Sequence, residues 1–322
     1  MISFLKLIRL PNLLIIAFTQ YMIRICLIEP ILKLSGFELQ MTELEFGLLV
    51  LAALFVSAGG YIINDYFDVR IDNINKPDQL VIDKGVKRRV AMGAHAVLSM
   101  LGVAIGILLS WKCNILLAGS TLFILSVVGL WFYSTNFKYQ FFTGNLIVSV
   151  LTGLAPFMVA LFEVPRDIIK YGTILSEQQA SLGTSTTTTV LIWAGCYGIA
   201  AFALSLIREM IKDMEDVEGD MKYGCRTVPI VLGMEKAKMI ASAMILLFMG
   251  GIGYVQQHQY EANDNRSFLY FLILIQLPLV LVLIRTFTAK EKKHFFIASQ
   301  LIKLIMLAGI SFLFFLRFVL LK

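Results

Sequence analysis

Nine long apolar stretches recur along the chain, at roughly residues 11–32, 43–63, 90–110, 114–134, 143–162, 188–207, 237–255, 267–285 and 296–316. Each is close to the ~20 residues a helix needs to cross a bilayer. None alternates apolar and polar residues with period two, so helices are expected rather than the strands of an outer-membrane barrel. Composition agrees: 58% of the 322 residues are hydrophobic and 16% are charged, with mean hydropathy +0.79. A soluble domain is about 45–50% apolar and about a quarter charged, and a surface this poor in charge is not kept in water. That argues against soluble globular, disordered and nucleic-acid-binding classes. The expected fold is all-α and polytopic, a single domain over 1–322 with about nine transmembrane helices. The N-terminal sequence has no short apolar core followed by a small-residue cleavage site, so the first apolar stretch is expected to stay as a span. Cys26, Cys113, Cys196 and Cys225 are scattered with no CxxC, which supports neither a disulfide framework nor a zinc site.

The net charge of +6 has a topological reading in such a chain. Assigned alternately to the two faces, the connections carry nineteen Lys and Arg on the N-terminal side and seven on the other, with Arg24 and Lys303 inside spans. The positive-inside rule then places the N-terminus in the cytoplasm and the C-terminus outside. Two long segments, 64–89 and 208–236, open on the cytoplasmic face. The 163–187 connection, ending in a Ser/Thr run, is expected outside as a solvated connector.

The two cytoplasmic segments carry one pattern twice. Asn64-Asp65-Tyr66-Phe67-Asp68-Val69-Arg70-Ile71-Asp72 and Asp213-Met214-Glu215-Asp216-Val217-Glu218-Gly219-Asp220 both contain Asp-x-x-Asp-x-x-x-Asp. The chain has ten Asp residues, and six of them are in these two triplets. By a simple template count one triplet is expected by chance about 0.01 times in this length. On a helix the three positions fall within an arc of about 60° along ~10 Å of axis, so each motif presents a carboxylate stripe where a span meets water. Solvated helix ends could look like one such stripe; two on the same face point to function. Clustered carboxylates need a compensating cation. Hard oxygen ligands suit Mg²⁺, which keeps several waters and bridges carboxylates to phosphates. Arg70, Lys76, Lys138, Arg208, Lys212 and Arg226 could balance a bound diphosphate, and apolar spans below it could take a lipid tail. Ionisation of an allylic diphosphate and capture of the cation by an acceptor fits this set.

The two Asp-rich motifs resemble those of the UbiA-type intramembrane prenyltransferases, and the resemblance runs along the whole chain. It implies a UbiA-like bundle with cytoplasmic cap loops over the active site. It also implies two Mg²⁺ ions bridging a prenyl diphosphate, with Asn64, Asp68, Asp72, Asp213, Asp216 and Asp220 around them. Asp65 matches the motif as a substrate-side residue, and Tyr133 and Lys138 match a Tyr and a Lys that follow the fourth helix near the diphosphate. Arg208-Glu209-Met210-Ile211-Lys212-Asp213, continuing through Gly219-Asp220 to Arg226-Thr227-Val228-Pro229, is similar to the digeranylgeranylglyceryl phosphate synthases. These attach a geranylgeranyl group to a geranylgeranylglyceryl phosphate hydroxyl.

The candidate catalytic residues are therefore Asp68, Asp72, Asp213, Asp216 and Lys212. Candidate substrate contacts are Asn12, Asn64, Asp65, Arg70, Tyr133, Lys138, Asn145, Arg208 and Arg226. Asn12 could equally be a helix-start residue, Asn145 a helix cap, and Arg208 an intrahelical ion-pair partner. Tyr66 and Phe67 are expected to pack, and Gly59-Gly60 to let helices approach closely. The expected partners are a prenyl diphosphate, a lipid or aromatic acceptor and membrane lipids, with no protein partner implied. An aromatic prenyltransferase of quinone, tocopherol or chlorophyll type is the alternative. A divalent-cation transporter fits less well, because no span carries an unpaired acid near its middle.

Overall fold

The computed structural model describes residues 2–320. Among these the regular structure is helical, apart from turns and one isolated bridge between Ile82 and Val86. In chain order the helices are α1 (Ile2–Leu7), α2 (Leu10–Leu34), α3 (Glu43–Asn75), α4 (Arg88–Lys112), α5 (Leu116–Thr135), α6 (Thr143–Leu182), α7 (Thr186–Glu215), α8 (Val217–Lys222), α9 (Val228–Leu232), α10 (Met234–Glu261), α11 (Asn265–Phe287) and α12 (Lys292–Leu320). Nine of them among the described residues, all but α1, α8 and α9, are long and apolar enough to span a membrane. The nine expected stretches are these nine helices, several of which overrun the apolar run that announced them.

Two compact units divide the chain: residues up to Asn136 with Leu151–Ile199 and the chain from Leu313 on, and Phe137–Val150 with Ala200–Phe312. In the first, α3 is the central element. Its N-terminus is set by a capping box, in which Thr42 Oγ1 accepts from Glu45 N at 3.2 Å and the Glu45 carboxylate accepts from Thr42 N at 3.0 Å. Phe46, Leu49 and Ala52 on α3 are fully buried, with Leu109, Phe123 and Phe162 in the same core. Helices can come this close because small residues face one another. A Cβ on Gly102 of α4 would lie 3.0 Å from the Ala52 carbonyl and 3.1 Å from the Val56 amide of α3. One on Gly59 would meet Ser99 Oγ at 2.6 Å, and one on Gly60 would meet Leu130 Cδ1 of α5 at 2.7 Å. Gly59 and Gly60 thus seat α3 against α4 and α5 about one turn before Asn64. Leu117 is 82% exposed and Leu125 60%, as lipid-facing side chains are.

The second unit has its own core. Ile207, Met210 and Ile211 pack with Ala237, Ala241, Leu279, Val282, Ala298 and Ile302, all nearly or fully buried. Two π-helical stretches interrupt the spans, Ile23–Ile28 in α2 and Leu272–Gln276 in α11. Each ends two residues before a proline, Pro30 and Pro278. Proline lacks an N–H and its ring crowds the carbonyl four residues back. The widened turn relieves this: Glu29 N bonds to Arg24 O and Leu277 N to Leu272 O, five residues back.

The 163–187 connection is helical and not an irregular link, although most of its residues from Ile168 to Thr184 are exposed. α6 continues through it to Leu182, with a kink at Tyr171, leaving a turn of a few residues before α7. Polar contacts hold this extension. Glu163, 1% exposed, accepts from Met41 N at 3.0 Å and from Gln40 N, and Arg166 Nη2 donates to Glu45 at 3.1 Å. Tyr171 stacks on Phe37 with centroids 4.3 Å apart. Arg24, 2% exposed, donates to Met41 O at 2.6 Å and pairs with Glu43 at 3.1 Å, so it acts within the unit and does not snorkel outward.

Candidate active site

The first motif is helical throughout, because α3 does not stop at its apolar run but continues to Asn75. Asn64, Asp68 and Asp72 follow at i, i+4 and i+8, within about 80° of arc, with Asp65 about 20° beyond Asp72. Arg70, about 200° from Asp68 on the same helix, is exposed and turned away from the stripe. The segment after Asn75 folds back as a cap: Pro77–Gln79 makes one 3-10 turn, Lys84 Nζ donates to Pro77 O at 2.9 Å, and Arg88 pairs with Asp83 at 3.1 Å. Its Ile82 is buried with Leu7 of α1, Ile62 of α3 and Ala91 of α4. Tyr66 and Phe67 pack edge to face at 5.3 Å, and Phe67 meets Trp131 of α5 at 6.0 Å, as expected of packing residues. Tyr133 lies two residues beyond Trp131, half-buried in the last turn of α5.

One residue of this half had no role in the motif reading. Arg9, at the corner between α1 and α2, donates from Nη2 to Asp65 Oδ1 at 2.6 Å, and its guanidinium lies over the Tyr61 ring at 5.0 Å. Burial works against its charge, but Asp65, with Tyr61 and Asp72 behind it, more than offsets this and raises the guanidinium pKa. Asn12, three residues on and half-buried in the first turn of α2, donates its backbone N–H to Arg9 O at 2.8 Å. The sequence signal was a cation three residues before Asn12, which charge counting absorbed as topogenic.

The second motif departs from the expected single stripe. α7 ends at Glu215, Asp216 takes φ −100° and ψ 8°, and a new short helix, α8, carries Asp220. Asp213 therefore lies in the last turn of one helix, Asp216 at the break, and Asp220 on the next helix. The bridge conformation at Asp216 is where many active-site residues sit. Around Asp213 the partners are specific: Asn145 Nδ2, in the first turn of α6, donates to Asp213 Oδ2 at 2.8 Å. Asn145 is thus a carboxylate partner and not a cap. Lys212 Nζ lies 2.9 Å from Glu209 Oε2, and Arg208 Nη1 lies 3.0 Å from Glu209 Oε1. Glu209, 8% exposed, holds both cations: Arg208 takes the intrahelical ion-pair role that the sequence leaves open to it, and Lys212, expected at the substrate, is paired as well. Lys292 Nζ reaches to 3.9 Å from Asp216 Oδ1. Neither Glu209 nor Lys292 was a candidate, although a Glu three residues before a Lys is an ion-pair signal on a helix.

Two further candidates in this unit, Lys138 and Arg226, are each placed beside Tyr139. The Phe137–Tyr139 turn carries Lys138, whose Nζ sits 5.0 Å from the Tyr139 ring centroid. Tyr139 O accepts the backbone N–H of the exposed Arg226 at 2.8 Å. Gly224, at φ +74°, turns the chain between α8 and this contact.

The residues fit a hard divalent ion by one orphaned atom. Asn64 Oδ1 is buried with no hydrogen-bond partner, which is costly for a carbonyl oxygen unless a ligand takes it. It stands one turn before Asp68. Among the described residues no three His, Cys, Asp or Glu side chains are already gathered closely enough to enclose an ion. An ion that keeps several waters and shares phosphate oxygens needs only one or two carboxylates from the protein.

Comparison with known proteins agrees with these motifs. The sequence pattern of the UbiA prenyltransferase family matches residues 37–300. A digeranylgeranylglyceryl phosphate synthase of Thermococcus gammatolerans is 36% identical over 62% of this chain and 62% of its own length, so the match spans less than two thirds of that relative. A solved structure giving structural and mechanistic insights into the biosynthesis of digeranylgeranylglyceryl phosphate synthase in membranes is similar with a TM-score of 0.58. It is 23% identical, over 96% of both chains. A UbiA homologue of Archaeoglobus fulgidus bound to DMAPP and Mg²⁺ is similar at 0.52, with 17% identity over 96% of this chain and 99% of that one. Nine membrane-length helices among the described residues, the shared fold and the matched pattern agree: this chain is an integral membrane protein that belongs to the UbiA prenyltransferase family.

Proposed function

We propose that the chain transfers a prenyl group, geranylgeranyl in chain length, from its diphosphate to the free hydroxyl of geranylgeranylglyceryl phosphate, releasing diphosphate. The observation that carries the reading is the orphaned, buried Asn64 Oδ1 on the same helical stripe as Asp68 and Asp72. Family membership supports the reaction class, and the name of the Thermococcus relative supports the acceptor. The Archaeoglobus homologue bound to DMAPP and Mg²⁺ supports a prenyl diphosphate substrate and a divalent ion. We assign Asn64, Asp68 and Asp72 in the first motif and Asp213, Asp216 and Asp220 in the second to two Mg²⁺ ions.

Such ions, when bound, neutralise charge on the departing diphosphate. The protein's own residues do the rest. Asn145 holds Asp213 in one orientation through its amide. Glu209 fixes Arg208 and Lys212 so that their charges stay beside the second motif. The prenyl tail lies among apolar helix faces, which keep water from the allylic cation until the acceptor hydroxyl attacks. The C–O bond to diphosphate breaks, the ether C–O bond forms, and the hydroxyl proton leaves to solvent. The excess of Lys and Arg on one side supports a cytoplasmic N-terminus and cytoplasmic motifs.

The test offers purified protein, with Mg²⁺ and geranylgeranyl diphosphate, geranylgeranylglyceryl phosphate and 4-hydroxybenzoate together, with products read by mass spectrometry. A diether phosphate is expected. A prenylated benzoate instead would overturn the acceptor assignment and keep the ionisation step.

A further inference from the structure

Arg9 adopts φ +51° and ψ +53°, in the left-handed region that a residue with a long side chain seldom enters. A residue stays there when its surroundings over-determine it, and such sites cluster where chains do chemistry. The surroundings here can be named. Arg9 N donates to Lys6 O at 3.0 Å, Arg9 O accepts from Asn12 N at 2.8 Å, and the side chain is drawn to Asp65 at 2.6 Å over the Tyr61 ring. Upstream, the cap segment presses on α1, since a Cβ on Gly85 would lie 2.7 Å from Ser3 Oγ. The corner is therefore held from both sides, and what it presents to the first motif is a guanidinium.

That guanidinium is incompletely used. It has five N–H donors, and among the described residues its one hydrogen bond is to Asp65. Its side chain remains 38% exposed. A planar fork with donors to spare, beside carboxylates expected to hold metal-bound phosphate, matches a phosphate's oxygens. Asp65 Oδ1 is committed to the 2.6 Å ion pair, and an oxygen so engaged is a poor ligand for an ion shared with Asp68.

Resting on the reading of the first motif as a prenyl diphosphate site, we propose that Arg9 contacts the diphosphate and that Asp65 is its positioning residue, not a metal ligand. Asp65 fixes the guanidinium, and the remaining N–H groups take phosphate oxygens.

The full-length protein in detergent tests this by its melting temperature, titrated with inorganic pyrophosphate in the presence of Mg²⁺, and by KM for geranylgeranyl diphosphate. Arg9→Gln is expected to weaken pyrophosphate binding tenfold or more and to raise KM in step, with kcat less affected. Arg9→Asn keeps a residue that tolerates the left-handed backbone and is expected to behave as Arg9→Gln does. Arg9→Lys is expected to recover part of the loss. Asp65→Asn is expected to show a smaller loss of pyrophosphate affinity with an unchanged Mg²⁺ requirement, and the double variant Arg9→Gln/Asp65→Asn to be no weaker than Arg9→Gln alone. A tenfold higher Mg²⁺ requirement in Asp65→Asn, with pyrophosphate affinity intact, would overturn the proposal. So would Arg9→Gln binding pyrophosphate as the wild type does. A wild type that pyrophosphate and Mg²⁺ fail to stabilise would overturn both the proposal and the reading beneath it.

Discussion

The side-chain amide of Asn145 donates to the Asp213 carboxylate at 2.8 Å, joining the first turn of α6 to the last turns of α7. This donor contact orients an oxygen that the second motif needs. Partners of this kind commonly change metal affinity or activity by about 10–100-fold when removed. Asn145→Ala is expected to lower kcat/KM by about tenfold or more and to raise the Mg²⁺ concentration for half-maximal activity. Initial rates across a Mg²⁺ titration measure both, and an unchanged titration would separate Asn145 from Asp213's role.

Glu209 sits between Arg208 and Lys212 and accepts from both. Glu209→Gln removes the charge that anchors them while keeping the shape. Hydrogen bonds to charged groups contribute about 1.5–3 kcal/mol, and partial exposure of both cations puts the loss toward the lower figure. Melting temperature is expected to drop by a few degrees. Activity is expected to fall further than stability alone explains, because two cations lose their fixed position. Activity equal to wild type at a temperature where the variant is folded would contradict this.

The helical count and most span positions were legible in the sequence because lipid imposes a length and a composition on every crossing. The first carboxylate stripe was legible because its spacing is a helical period. Their partners were not. Arg9 meets Asp65 across 56 residues and Asn145 meets Asp213 across 68, and no local spacing encodes contacts at that range. The break at Asp216 was hidden because Asp213-x-x-Asp216-x-x-x-Asp220 reads as one helix whether or not the backbone follows it. The 163–187 helix was missed for the opposite reason: its charged residues looked solvated, whereas Glu163 and Arg166 bond back to residues 40–45.

Gly102 carries a packing prediction. A Cβ there would press on backbone atoms of Ala52 and Val56, which cannot swing aside as a side-chain tip can. Gly102→Ala is expected to destabilise the protein by about 1–3 kcal/mol, the usual cost of overpacking. Gly93→Ala, with no atom within 4 Å of its Cβ position, is expected to leave the melting temperature unchanged or slightly raised. Thermal melts of the two variants in one detergent make the comparison.

Cys113 is fully buried, and burial pushes its thiol up to about 11, with Arg166 only partly opposing the shift. The reactive thiolate is therefore scarce below that pH. Cys113 is expected to resist maleimide at pH 8 in the folded protein while the exposed Cys196 reacts, and to react once the protein is unfolded. Peptide mass mapping after labelling distinguishes the two sites.

The central claim is that both Asp-rich motifs act in metal-dependent departure of diphosphate from a prenyl donor. The most direct measurement is diphosphate release from geranylgeranyl diphosphate by the purified protein, with acceptor present, across a Mg²⁺ titration, for wild type, Asp68→Ala and Asp216→Ala. Release that requires Mg²⁺ in the wild type, is abolished by a chelator and falls by at least about a hundredfold in each variant is the predicted result. Full Mg²⁺-dependent release in either variant, with the protein folded, would contradict the account.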